Sequence, residues 1–175
     1  MQIEQRSEVI SVYLTVDAGW SKKIYLFSDV HFDSIYCRRD IYQKHLEQAK
    51  ADGALILDGG DFFDAMQGRA DPRRSMDDLR PEYRRDDYYD FVVRDAAKFL
   101  EKYAQHILLF APGNHELSVL KNVNTHLTDR LVFTLRQIGS NVVSGGYKGW
   151  VRFLWKYEHG KNCGSILLRY SHSGG

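Results

Sequence analysis

Apolar and polar positions along the first half of the chain follow two rhythms. Short apolar runs are separated by longer stretches in which apolar residues recur every three or four positions. Val9 to Val16 alternates loosely and predicts a strand, followed by a turn at Asp17-Ala18-Gly19. Lys23-Ile24-Tyr25-Leu26-Phe27 is a compact apolar run that ends in Ser28-Asp29. Over Arg39 to Ala51, residues Ile41, Tyr42, His45, Leu46 and Ala49 repeat at helical spacing, closed near Gly53. Ala54 to Leu57 predicts a second buried strand. Asp86 to Gln105 predicts a helix, with Tyr89, Val92, Val93, Ala96, Phe99, Leu100 and Tyr103 on its apolar side. Ile107 to Phe110 predicts a third strand, and Leu117 to Ile138 a largely helical stretch stopped by Gly139.

This order of strands and helices predicts an α/β fold with a parallel sheet and helices on its faces. The three runs are apolar without strict alternation, as strands covered on both faces are. After Gly139 the pattern changes. Asn141 to Ser144 reads as a short strand, and Val151, Phe153, Trp155 and Tyr157 then alternate with Arg152, Leu154, Lys156 and Glu158. A turn over 159–164 leads into Ser165 to Ser171, which predicts a β-hairpin and the start of a second, antiparallel region. The aromatic residues Trp150, Phe153, Trp155 and Tyr157 read as sheet core in preference to a base-stacking platform. Between Phe63 and Asp86 lies a charged segment with Pro72, Pro81, Arg73-Arg74 and Arg84-Arg85. It reads either as a solvated loop with a short helical turn or, over 65–86, as an insertion that forms a lid.

Composition narrows the classes. A chain of 175 residues, 43% of them hydrophobic, suits a single domain over 1–175 with a normal core. With 24 Lys+Arg against 23 Asp+Glu, bulk charge gives no argument for nucleic-acid binding, although local patches stay open. The two cysteines, Cys37 and Cys163, exclude a disulfide framework and a CxxC metal knuckle, and read as inert thiols. No apolar run approaches the roughly 20 residues of a membrane span, and MQIEQRSEV is too polar for a signal peptide. The expectation is a soluble, cytoplasmic protein without membrane partners.

Each of the three apolar strands ends in ligand-type residues: Asp29-Val30-His31, Gly60-Asp61-Phe62-Phe63-Asp64 and Gly113-Asn114-His115-Glu116. In open α/β sheets, sites form beyond the carboxyl ends of strands. In extended backbone Asp29 and His31 point to one side and reach one cation. Gly59-Gly60 permits the sharp turn that delivers Asp61 to the same place. Taken singly each cluster has a bland reading as a helix cap or turn. Together they predict a metal site of carboxylate, imidazole and amide oxygen, suited to Mn²⁺, Fe or Zn²⁺. His45, His106, His126 and His159 have no second ligand near them in sequence and read as structural or solvated.

Asp-x-His, then Gly-Asp-x-x-Asp, then Gly-Asn-His-Glu resembles the signature of calcineurin-like metallophosphoesterases, strongly over Lys22 to Glu116. Gly-Asp-Phe-Phe-Asp and Asp-Pro-Arg-Arg look like phage-type members. The resemblance implies an α-β-β-α sandwich with two divalent metal ions, Mn²⁺ first, with Fe, Zn²⁺ or Ni²⁺ as others. It implies that Asp29 and His31 bind the first metal, that Asp61 bridges both, and that Asn114 and His172 bind the second. His115 would assist the leaving group, and Asp64 would orient it. The implied reaction is hydrolysis of a phosphomonoester or phosphodiester, nucleic acid included, by a metal-bridging hydroxide. Arg73 and Arg74 are the candidate substrate-binding residues. Oligomeric state is not legible.

The family closes its site with Gly-His-x-His, and this sequence contains none. Three explanations stand: a chain that is C-terminally incomplete in its second sheet, a short member completed by water or a partner, or a degenerate scaffold that acts as a non-catalytic binding module.

Overall fold

The computed structural model describes residues 1–65, 75–158 and 163–172. The first elements are β1 (Gln2–Arg6), β2 (Val9–Val16), β3 (Ile24–Phe27), α1 (Arg39–Ala51), β4 (Leu55–Asp58) and α2 (Tyr88–Leu100). They are followed by β5 (Ile107–Phe110), α3 (Asn114–Val123), α4 (Leu127–Gln137), β6 (Val143–Ser144), β7 (Lys148–Tyr157) and β8 (Cys163–Ser171).

The predicted parallel sheet is present, in the order β3-β4-β5-β6 with every pair parallel. Its strands are buried because helices cover one face and a second sheet covers the other. Tyr42, Leu46 and Ala49 of α1, Val92, Val93 and Ala96 of α2 and Leu131 and Leu135 of α4 pack with Ile56 and Phe110. Burying a side chain of this kind contributes roughly 1.5–3 kcal/mol. On the opposite face Leu55, Leu57, Leu108 and Leu109 meet Ile10, Val12, Val151 and Phe153 of the second sheet.

That second sheet runs β1-β2-β7-β8. The hairpin of β7 and β8 is antiparallel, as the alternation predicts. The sheet is nevertheless mixed, because β2 pairs in parallel with β7 from Val9↔Trp150 to Val16↔Tyr157. Strand β1 was not legible. It reads Gln-Ile-Glu-Gln-Arg, and an edge strand needs only one inward apolar residue, here Ile3, which packs on the inter-sheet core. Of the expected α-β-β-α sandwich, the helix layer and both sheets are in place among the described residues, and the far face of the second sheet carries no helix among them.

Two boundaries differ from expectation. The stretch Leu117 to Ile138 is two helices, broken where Asn124 takes a left-handed conformation (φ 53°) and its N–H bonds back to Leu120. The helix predicted over Asp86 to Gln105 ends at Leu100 and tightens into a 3₁₀ turn over Glu101–Tyr103. The described part of the charged segment contains the expected short turn, at Pro81–Tyr83, but is anchored to the core. Leu79 and Tyr83 are fully buried, and Arg80 donates to the carbonyls of Ser34 (3.1 Å) and Cys37 (2.9 Å). Arg73 and Arg74 lie outside the described residues.

Candidate metal centre

The carboxyl ends of β3, β4 and β5 converge, and backbone bonds stitch their loops together. The N–H groups of Asp29, His31 and Phe32 donate to the carbonyls of Gly60 (2.9 Å), Asp61 (3.1 Å) and Phe62 (2.7 Å). The backbone at the first loop is not extended, contrary to the sequence reading. Asp29 (φ 56°), His31 (φ 48°) and Asp61 (φ 53°) all sit in the left-handed region, which costs a non-glycine residue about 1–2 kcal/mol. Three such residues in one place mark a geometry held by its surroundings for a purpose other than stability.

Asp29 and His31 fall into different groups of ligand-type side chains. Asp29 gathers with Asp61 and His172, and His31 with Asp64 and His115, each triad having ligand atoms within 4.8 Å of one another. Asp61 stands between them, its Oδ2 3.2 Å from His172 Nε2 and 3.8 Å from His115 Nε2. Asn114, the first residue of α3, places Oδ1 3.1 Å from His172 Nε2. His172 follows directly on β8 and is buried, so the second sheet delivers a side chain to the ends of the first.

The donor set fits divalent cations. The Nδ1 of His172 faces the carbonyl of Gly59 at 3.2 Å and therefore carries the proton. Its Nε2 then faces two oxygens, Asp61 Oδ2 and Asn114 Oδ1, and the three atoms are placed to meet one cation. His115 is held likewise, its Nδ1–H donating to the backbone carbonyl of Asp64 at 2.6 Å. The Asp64 carboxylate lies farther from that nitrogen, at 3.5 Å, and bonds His31 Nδ1 at 2.7 Å. That hydrogen bond raises the His31 pKa above the ordinary imidazole value, against the opposing effect of burial. The rings of His31 and His115 meet edge to face, 4.9 Å apart.

Three buried carboxylates support this arrangement without joining either triad, and the sequence reading gave none of them a role. Glu116 accepts N–H bonds from Gly113 (2.9 Å), Asp61 (3.2 Å) and Phe63 (2.8 Å), tying the start of α3 to the loop after β4. Burial pushes its carboxyl up to about 7. Its signal was its place three residues after the helix cap, the capping-box spacing. Asp33 accepts from the backbone of Asp64 (2.6 Å) and Ala65 (3.0 Å) and from the Tyr88 hydroxyl, and burial raises its pKa. Asp58 accepts from the N–H of Gly60 at 3.1 Å, and burial holds its carboxyl far above the usual range. Gly60 itself (φ 117°) leaves no room for a side chain, since a Cβ there would lie 2.7 Å from Gly113 N and 2.9 Å from His172 Nδ1.

Comparison with known proteins agrees with this geometry. The family model described as calcineurin-like phosphoesterase matches residues 22–171, a span that takes in every residue of the two triads except His172. No curated protein and no solved structure matches the chain.

Proposed function

The chain belongs to the calcineurin-like phosphoesterase family, and from that premise we propose that it hydrolyses phosphomonoesters or phosphodiesters with two divalent cations, Mn²⁺ first among them. Metal-dependent phosphoester hydrolysis is the general chemistry of the family. The observation that carries the finer reading is the pair of adjoining triads sharing Asp61 as their common neighbour. Oxygen and imidazole donors without thiolate favour Mn²⁺ over softer metals.

In this reading Asp29, Asp61, Asn114 and His172 hold one cation and His31, with Asp61, the other. When bound, the cations neutralise the phosphoryl oxygens and activate the attacking water. The protein supplies the proton. His115, fixed through Nδ1 by the Asp64 carbonyl, presents Nε2 beside Asp61, where it donates to the departing oxygen. Asp64 orients both imidazoles, one through its carbonyl and one through its carboxylate. Arg73 and Arg74 complete the reading as phosphate contacts. The two free cysteines, Cys37 and Cys163, support a cytoplasmic setting.

The test is hydrolysis of bis-p-nitrophenyl phosphate and p-nitrophenyl phosphate, with Mn²⁺ and with chelator, by the wild type and Asp61→Ala. Turnover that needs Mn²⁺ and disappears in Asp61→Ala is expected. Equal rates in all four conditions would overturn the enzyme reading and leave the non-catalytic binding module.

A further inference from the structure

The carboxylate expected beside His115 is that of Asp64, and a peptide group takes its place. His115 Nδ1 donates to the Asp64 carbonyl at 2.6 Å, while the Asp64 carboxylate stands 3.5 Å away and bonds His31. That carbonyl belongs to the Asp64–Ala65 peptide, which is planar and trans, so its N–H points away from its C=O. At that far end the Ala65 N–H donates to Asp33 Oδ2 at 3.0 Å. One peptide therefore lies between an imidazole and a carboxylate and is bonded to both.

Asp33 holds residue 64 from two points. Its Oδ1 accepts the Asp64 N–H at 2.6 Å, so the peptides on both sides of the Asp64 Cα are fixed by one side chain. Ala65 is turned into a left-handed conformation (φ 56°), a strained geometry for a residue with a Cβ that its surroundings must hold in place. Asp33 is itself anchored. Its backbone carbonyl accepts the Arg80 N–H at 3.0 Å, and its Oδ2 accepts the hydroxyl of Tyr88, the first residue of α2. It is wholly buried and belongs to neither triad. A hydrogen bond at the N–H end of an amide also strengthens its carbonyl as an acceptor, so Asp33 tightens the grip on His115 as well as aiming it.

We propose that Asp33 is the positioning residue for His115, acting through the Asp64–Ala65 peptide to fix the carbonyl that holds Nδ1–H and so to aim Nε2 at the departing oxygen. The aim at a departing oxygen rests on the hydrolase reading. The positioning does not, because every bond of the relay lies within this chain.

The first arm of the test needs neither metal nor substrate. In EDTA, the His115 Nδ1–H resonance of the isotope-labelled full chain is assigned by its loss in His115→Gln. Asp33→Asn should shift that resonance and speed its exchange with water about tenfold or more, since an amide cannot accept at both backbone N–H groups. In the second arm, kcat and KM are measured with Mn²⁺ on phenyl phosphate and p-nitrophenyl phosphate. Asp33→Asn should lower kcat about tenfold on the phenyl ester, whose leaving oxygen needs a proton, and far less on the p-nitrophenyl ester, with KM unchanged on both. Tyr88→Phe removes one donor to Asp33 and keeps both backbone bonds, so it should move both readouts the same way by less. It carries the test if Asp33→Asn fails to fold. An unmoved His115 resonance in the folded variant, or equal loss of kcat on the two esters, would overturn the proposal. A moved resonance in a chain without Mn²⁺-dependent turnover would support the positioning role and overturn the hydrolase reading alone.

Discussion

Gly113 and Asp61 are packed so closely that a Cβ on residue 113 would lie 2.0 Å from Asp61 Oδ1 and 2.3 Å from Asp61 N. The glycine is required by this approach, because its own backbone (φ −99°) is open to any residue. Gly113→Ala must displace either the start of α3 or the Asp61 carboxylate that stands between the two triads. Overpacking of this kind costs about 1–3 kcal/mol. We expect a lower melting temperature together with Mn²⁺ binding weakened at least tenfold, read by thermal denaturation and calorimetric titration. Unchanged metal affinity would show that Asp61 is not a ligand.

Glu116→Ala leaves the N–H groups of Gly113, Asp61 and Phe63 buried without their acceptor. At about 1–3 kcal/mol for each orphaned group, the loss in urea denaturation should exceed 3 kcal/mol. Glu116→Gln keeps one acceptor oxygen and should lose less.

His172→Ala and His31→Ala remove one imidazole from different triads. In the proposed reading each variant retains one tight Mn²⁺ and loses the other, so calorimetric stoichiometry falls from two to one. Removing metal from the wild type should also lower its melting temperature. Each site saturated at 100 times its Kd stabilises the fold by about 2.7 kcal/mol, and chelation withdraws it.

Away from the centre, the Asp52 carboxylate accepts from Lys23 Nζ (2.8 Å) and Tyr25 OH (2.7 Å), linking the turn after α1 to the edge of β3. The Lys23 hydrogen bond, followed by that of Tyr25, holds Asp52 below the ordinary carboxylate value of 3.8. A depressed folded pKa means that the unfolded chain binds its proton first as pH falls. The stabilisation is therefore complete above 3.8 and is lost as pH drops through the lower folded value. Asp52→Asn should flatten that part of the acid-denaturation curve, with little change at neutral pH attributable to titration.

The parallel sheet, the order of its strands and the polar clusters at its carboxyl ends were all legible in the sequence. They rest on local signals: apolar runs of strand length, helical periodicity and ligand-type residues in a family pattern. The N-terminal strand was not legible, because Gln2–Arg6 draws its order from pairing with β2 and from the single inward residue Ile3. The break between α3 and α4 was equally hidden, since Leu117 to Ile138 keeps its apolar spacing across the left-handed Asn124.

At the centre the division is sharper. Sequence by itself determined which residues of the first three motifs could hold metal. Tertiary structure alone decided how they divide. Asp29 and His31, adjacent but for one residue, fall into different triads, and both take left-handed backbone conformations beside the loop after β4. The same is true of Glu116 and Asp33, whose importance lies in backbone donors brought from distant loops. Periodicity records which face a side chain takes along its own element. It carries no information about which distant groups arrive opposite, and burial and hydrogen bonding of those groups is what shapes this site.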